Sequence, residues 1–318
     1  MKCRLALFLT IALVSSVALA GSSKAFTVSP PIVDIEVEPG SAQTVFINVT
    51  NEEAVAKTYA FVVQKFIPKG ERGQQDFLPP EETSGLPEWM YFDDTSIRLS
   101  PSESRNVPVG LRIPSDARAG GHYVALFFSE QLGGAEQGQA LTTVSRTGVL
   151  FLITVTGDTS PKFILDDFRA EQTSYQHLPV GFRMKLTNLG GTHAAPQGEI
   201  RIQNIFGSTV AKLTVNQEGS RVLPGSSRSY APVWSVGVVE PGTGYLTRLR
   251  NEIRNFGFGS YTARLALTGP GSVGATEVVA SFSVWPKTLL YTLAVSGVVL
   301  LVLLLIFKKL VIYFATRR

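Results

Sequence analysis

The chain has 318 residues, 44% hydrophobic and 17% charged, with one cysteine, a composition that excludes disordered, collagen-like and disulfide-framed chains. Its formal charge of +4 comes from the ends: without Lys2, Arg4, Lys308, Lys309, Arg317 and Arg318, 23 basic residues face 25 acidic ones, a net of −2. Nucleic-acid binding requires a clustered basic face, and the sequence offers none, so nucleic acid is excluded as a partner.

Lys2 and Arg4 form a basic start, 5–17 is apolar, and Ala18-Leu19-Ala20 is a small-x-small cleavage pattern. This predicts a signal peptide over 1–20 and a mature chain from Gly21, the alternative being an uncleaved anchor. Cys3 precedes the apolar stretch, so it is no lipoprotein cysteine and leaves with the signal. Domains without disulfides must bury cores of real size. A cysteine-free surface protein fits a bacterial envelope, which makes the Asn48-Val49-Thr50 sequon a chance strand motif.

From there the chain alternates apolar and polar residues at period two. Val45, Ile47 and Val49 point one way and Phe46, Asn48 and Thr50 the other. The same pattern holds for Phe182, Met184 and Leu186, then for Val278, Ala280, Phe282 and Val284. Pro39-Gly40, Pro224-Gly225 and Pro241-Gly242 mark turns. Short alternating strands at this spacing predict an all-β fold of two tandem immunoglobulin-like sandwiches, 21–156 and 162–284, joined by a linker at 157–161.

An internal repeat supports the division. Val49-Thr50-Asn51 corresponds to Leu186-Thr187-Asn188, Pro101 with Arg105 to Pro224 with Arg228, and Gly121-His122-Tyr123 to Gly259-Ser260-Tyr261. The tyrosines sit where immunoglobulin-like sandwiches carry a corner tyrosine. Asn51 to Pro101 spans 50 positions against 36 from Asn188 to Pro224, so the first domain carries about 14 extra residues near Ile67 to Trp89. Pro101 to Tyr123 spans 22 against 37 from Pro224 to Tyr261, so the second carries about 15 extra near Val236 to Asn255.

Insertions in sandwiches lie in surface loops, where function concentrates. The first contains Lys69, Glu71, Arg72 and Phe77, a candidate contact loop for a glycan or peptide, and ends in Trp89, which packs the core on this reading. In the second, Leu246, Leu249, Ile253 and Phe256 fall at helical spacing among Arg248, Arg250 and Arg254. This predicts a short amphipathic helix and a candidate basic membrane-proximal face; the plainer reading is a helix capping its sandwich with solvated arginines.

Residues 288–307 are 20 positions without a charge. As a helix they reach roughly 30 Å, the thickness of a bilayer core. Trp285 and Lys287 on one side and Lys308 and Lys309 on the other are the expected interface anchors. The positive-inside rule predicts a single-pass span with a cytoplasmic tail, 308–318, and both domains outside the cell membrane. Residues 24–156 hold 16 acidic and 10 basic residues and 157–287 hold 9 and 13, which predicts a basic domain at the bilayer and an acidic one presented outward.

Enzymatic signatures are missing. His122, His177 and His193 fall in no metal-ligand spacing, and no nucleophile elbow, phosphate loop or dinucleotide fingerprint occurs. Asp93-Asp94 and Asp166-Asp167 are acidic pairs that suit calcium or, more simply, turns. The sequence therefore predicts no enzyme, no cofactor and no small-molecule substrate.

Val28-Ser29-Pro30-Pro31, Pro39-Gly40, Val49-Thr50-Asn51, Trp89, Leu99-Ser100-Pro101, Ile113-Pro114-Ser115-Asp116 and Gly120-Gly121-His122-Tyr123 together resemble the first domain of WxL-interacting surface proteins of Gram-positive bacteria. These share a fold with pilus chaperones. The resemblance implies a first domain that binds peptidoglycan and a second that binds a host or partner protein. The leading expectation is a membrane-anchored adhesion or binding protein whose partner is cell-wall polymer or a surface protein. The competing one is an assembly chaperone acting by β-strand addition, with Val149, Leu150, Phe151, Leu152 and Ile153 as the strand and Arg146 before it. A hydrolase is the residual third.

Overall fold

The computed structural model describes residues 26–131, 146–271 and 277–315. The expected signal segment 1–20, Cys3 and the terminal Arg317 and Arg318 lie outside these residues. The chain divides into two compact units, one of Met1–Ile67, Phe77–Arg118 and His122–Thr156, the other of Pro68–Asp76, Ala119–Gly121 and Gly157–Arg318.

The first unit is a β-sandwich. Strands β1 (Thr27–Ser29), β2 (Ile32–Val37), β3 (Ala42–Thr50), β4 (Lys57–Lys69) and β5 (Gln74–Phe77) come first, the tip from Pro68 to Asp76 belonging to the second unit. A short helix α1 (Leu86–Trp89) follows, then β6 (Met90–Tyr91), β7 (Ser96–Leu99), β8 (Ser104–Arg112), β9 (Gly120–Glu130) and β10 (Arg146–Val155). One sheet runs β1-β3-β8-β6; the other runs β2-β10-β9-β4-β5, with β7 paired to β4. The alternation in β3 comes out as the sequence implies: Ile47 and Val49 are fully buried while Phe46 is 61% exposed. Tyr59, Leu99, Leu111, Phe128 and Phe151 complete the centre of the core, and Trp89 packs at its margin.

The second unit repeats this plan. Its strands are β11 (Phe163–Ala170), β12 (Ser174–Tyr175), β13 (Val180–Asn188), β14 (Gln197–Asn204), β15 (Thr209–Val215), β16 (Ser227–Tyr230), β17 (Val233–Trp234), β18 (Gly259–Thr268) and β19 (Val278–Val284). Helix α2 (Tyr245–Arg254) precedes β18, and α3 (Lys287–Ala315) follows β19. The sheets run β11-β13-β16, with β17 on β13, and β12-β19-β18-β14-β15. The strand order matches that of the first unit. In each, the first strand pairs antiparallel within one sheet, and its continuation pairs parallel with the unit's last strand in the other. The fold is thus all-β, two immunoglobulin-like sandwiches with one C-terminal helix.

The repeated asparagines explain what holds the plan. Asn51 and Asn188 are fully buried, and a buried amide must be hydrogen-bonded. The Asn51 amide donates to the carbonyls of Val55, Leu99 and Ser100 at 2.8, 3.3 and 3.1 Å, and its oxygen accepts from the Glu53 N–H and the Tyr59 hydroxyl. Asn188 donates to Thr192 and Val222 at 2.8 and 3.0 Å and accepts from the N–H groups of Gly190 and Lys162. Both reach the carbonyl four residues on, the N–H two residues on, and the carbonyl two residues before a proline. Tyr261 also takes a corner position, its hydroxyl accepting the Phe258 N–H at 3.0 Å.

The apolar run 149–153 lies within β10, which sits between β2 and β9, and Val149, Phe151, Leu152 and Ile153 are buried. It is an interior strand, so it is not available for donation to a partner.

The asparagine network sets a measurable expectation. Asn51→Asp keeps the shape but faces a carboxylate toward three carbonyl oxygens. It should cost the first unit about 3 kcal/mol, since buried unsatisfied groups cost roughly 1–3 kcal/mol each. Urea unfolding of the variant should show a clearly lower midpoint than wild type.

Candidate functional site

The outward side of β3 and β8 carries a row of fixed polar groups. The strand register sets Phe46 beside Pro108, Asn48 beside Asn106 and Thr50 beside Ser104. Asn48 donates to the Asn106 carbonyl oxygen at 2.9 Å and accepts from the Ser104 and Thr50 hydroxyls at 3.1 and 3.2 Å. Those two hydroxyls also touch each other. The row thus has a set orientation before any ligand arrives.

At its far end Tyr91 of β6 lies across Gly110 of β8. A Cβ on residue 110 would fall 2.0 Å from the tyrosine ring, so only glycine permits the ring to rest on the backbone there. The Arg112 guanidinium stands 5.2 Å from the ring centroid, a cation–π contact of about 0.5–1 kcal/mol at an exposed site. Tyr91 remains 43% exposed. The face therefore offers two exposed aromatic rings, Phe46 and Tyr91, at one end of a row of amides and hydroxyls. Rings suit the apolar faces of sugars; amides and hydroxyls both donate and accept.

This face continues around β8 into a cleft of about 540 Å³ that shares Asn106 and Pro108 with it and adds Asp93, Asp94, Arg98, Glu103 and Arg105. β6 pairs only with Gly110 and Leu111, so among the described residues no strand covers the outer edge of β8 over 104–109. The Glu103 carboxylate is held down to about 2, first by the Ser100 backbone N–H at 2.7 Å and then by Arg105 at 2.6 Å.

The other sequence candidates lie elsewhere. The loop residues divide: Lys69 pairs with Asp76 at 3.2 Å, and Phe77 packs on Phe66 and Phe127. Within the second compact unit, Glu71 accepts from Lys185 at 2.5 Å and from the Ser229 hydroxyl at 2.7 Å, which hold its carboxyl below the usual range. Arg72 lines a separate cleft of about 500 Å³ with Arg228 and Tyr230. The Tyr230 hydroxyl is buried and has no hydrogen-bond partner among the described residues. Burial pushes its pKa up to about 12.

Helix α2 occupies the second insertion, with its faces inverted. Leu246, Ile253 and Phe256 are exposed, Leu246 at 70%, while Asn251 and Glu252 are buried. Arg250 and Arg254 both pair with Glu240. Glu252 faces the start of α3: its two oxygens accept the N–H groups of Thr288 at 3.1 Å and Leu289 at 2.6 Å. Helix starts leave these donors unsatisfied and carry positive dipole ends, so a carboxylate there is doubly favoured. Tyr245 bonds Thr292 at 2.7 Å, and Trp285 packs edge-on against Phe258.

Lys287 opens α3, and an 18-residue window within 287–313 has a mean hydropathy of 2.8. That helix is long and apolar enough to cross a membrane. Lys308 and Lys309 lie inside it, because the helix runs on to Ala315. Among the described residues no group of three or more His, Cys, Asp or Glu side chains is placed to hold a metal. Asp166 bonds Thr187 and Asp167 pairs with Arg169, which uses the second acidic pair locally.

Sequence reasoning missed Tyr91 with Gly110, and Glu252. A lone acid in a basic helix marked Glu252, and nothing in composition or period marked the seating of Tyr91 on Gly110.

No protein-family model matches the chain, and no curated protein matches it. Solved structures similar to it include pilus chaperones. The class 5 fimbriae chaperone CfaA is 9% identical, over 81% of this chain and 98% of that one, with a TM-score of 0.39. The Escherichia coli chaperone DraB is 9% identical, over 81% and 96%, with a TM-score of 0.37. A CsuC–CsuE chaperone–tip subunit complex from Acinetobacter baumannii matches at 10% identity, over 81% and 98%, with a TM-score of 0.36.

Two titrations test the electrostatics. Glu103 should titrate at about 2 by NMR, its ion pair intact above the ordinary carboxylate range and lost as pH falls toward 2. Arg105→Gln should raise that value only in part, since the Ser100 N–H is the larger cause. The pKa of Tyr230 is raised from 10.0 to about 12, so its ionisation should leave stability unchanged below pH 10 and lower it as pH rises toward 12. Tyr230→Phe removes an unsatisfied hydroxyl and should raise stability by about 1 kcal/mol in thermal unfolding.

Proposed function

We propose that the chain is a non-enzymatic, membrane-anchored binding protein of the cell envelope whose first unit contacts peptidoglycan. The observation that carries this reading is the outward face of β3 and β8, where Tyr91 rests on Gly110 beside the fixed Asn48–Asn106 row. Peptidoglycan presents N-acetylated sugar rings and short charged peptides. The rings match the two aromatics and the amide row, and the peptides match the cleft of Asp93, Arg98, Glu103 and Arg105. The resemblance to WxL-interacting proteins implies the same ligand class. The polar groups of the 69–77 loop are largely used within the fold, so the contact is assigned to the sheet face. Helix α3 supplies the anchor. Trp285 and Lys287 sit at its outer boundary, and Lys308 and Lys309 mark the cytoplasmic side by the positive-inside rule.

A second reading keeps the anchor and replaces the polymer with a surface protein that adds a strand to β8. The uncovered edge at 104–109 favours it.

The full chain, held in lipid nanodiscs, should be retained on purified peptidoglycan. Tyr91→Ala should lower that retention by more than tenfold, since truncating an aromatic anchor costs on the order of 2 kcal/mol. Retention no higher than for empty nanodiscs defeats the peptidoglycan reading. Photo-cross-linking from position 105 to a protein, unaffected by Tyr91→Ala, selects the strand-addition reading.

A further inference from the structure

We propose that the cleft between α2 and the first turns of α3 binds the phosphate headgroup of an anionic membrane lipid. The proposal rests on the reading of α3 as a membrane span. The cleft holds about 680 Å³. Arg248, Lys287 and Thr288 line it at the start of α3; Tyr291, Thr292, Val295 and Ser296 line it further along. Lys287 and Val295 are eight residues apart, roughly 12 Å along a helix axis. Over that distance the wall changes from cationic to hydroxyl-bearing side chains interleaved with apolar ones. A phospholipid passes likewise from a charged phosphate through glycerol oxygens to its acyl chains.

The inverted faces of α2 point to the same occupant. A helix that serves only its own sandwich turns apolar side chains inward. Here Leu246 and Ile253 face outward, as does Phe256 just past the helix, and Glu252 is turned in to cap α3. Val238, at 85% exposure, and Phe258 are exposed as well. Large apolar side chains exposed in this number in one insertion are a feature of interaction sites. Glu252 and the Tyr245–Thr292 bond fix α2 at the level where α3 begins. Whatever medium surrounds α3 at that level therefore also meets the face of α2.

Charge completes the argument. Arg250 and Arg254 share Glu240, whereas Arg248 and Lys287 form no ion pair among the described residues and both line the cleft. Two cations without an internal counter-ion, lining one groove with hydroxyl-bearing side chains and Val295, fit one phosphodiester with its glycerol and the start of an acyl chain. Each basic residue beside an anionic lipid contributes roughly fivefold in affinity.

Native mass spectrometry of the full chain, released from detergent with phosphatidylglycerol or phosphatidylcholine at equal concentration, tests this. One phosphatidylglycerol should be retained about tenfold over phosphatidylcholine. Arg248→Gln should lower that retention roughly fivefold. Ser296→Phe, which fills the cleft and leaves every charge in place, should also lower it, so the result does not depend on one variant folding. Lys212→Gln, on β15, should change nothing. Equal retention of the two lipids, or equal losses from Lys212→Gln and Arg248→Gln, overturns the proposal. Displacement by glycerol 3-phosphate at matched concentration also overturns it and assigns the site to a soluble anion. Carbonate extraction of the same chain from bilayers reads the anchor separately. Extraction of wild type defeats the span itself; resistance with equal lipid retention defeats the cleft alone.

Discussion

The buried amide at the end of the second long strand governs each sandwich. Without disulfides, the turn that returns the chain to the next paired strand needs another fastening. Asn51 supplies it by holding the carbonyls of Leu99 and Ser100, just ahead of β8. With that turn fixed, β8 enters beside β3 in one register only, and a shift of one residue would exchange its faces. The pairing of Asn48 with Asn106, and of Thr50 with Ser104, follows from that register. So does the position of Gly110 beneath Tyr91. A buried hydrogen-bond network thus sets the geometry of an exposed surface.

Helix α2 shows the opposite priority. It turns polar groups inward because α3 needs acceptors at its first turn, and Glu252 provides two oxygens there. In a soluble domain, exposing Leu246 and Phe256 for this would be unfavourable, since apolar burial contributes about 25 cal/mol per Å². Against a lipid surface the same residues are in a favourable medium. Helix α3 and the insertion before it are parts of one structure.

The sequence was legible where the period or a landmark residue carried the signal. The alternation in β3, β13 and β19 marked strands and their inward faces, because each buries one side only. Asn51 and Asn188, Pro101 and Pro224, and Tyr123 and Tyr261 were visible as an ordered repeat, and the asparagines proved to do the same work in both units. The run at 149–153 was ambiguous, because a continuous apolar stretch fits an interior strand as well as a donor strand. Helical spacing revealed α2 but not which face would be covered, since that depends on a carboxylate reaching a helix 36 positions away in sequence. Tyr91 and Gly110 were not legible at all. A ring resting on a glycine leaves no mark in composition or period.

The parallel pairing of β2 with β10 has a mechanical consequence. Six residues of β2 lie in register with six of β10, from Ile32 with Leu150 to Val37 with Val155. These strands lie near the two ends of the first unit. A tensile load applied across that unit therefore pulls them past each other lengthwise, straining all their hydrogen bonds at once. A hairpin loaded from its open end would give way one bond at a time. In the second unit the corresponding parallel contact spans only Ser174 and Tyr175. Under shear the first sandwich is the more strongly braced of the two, a useful property for the anchored binding role proposed above.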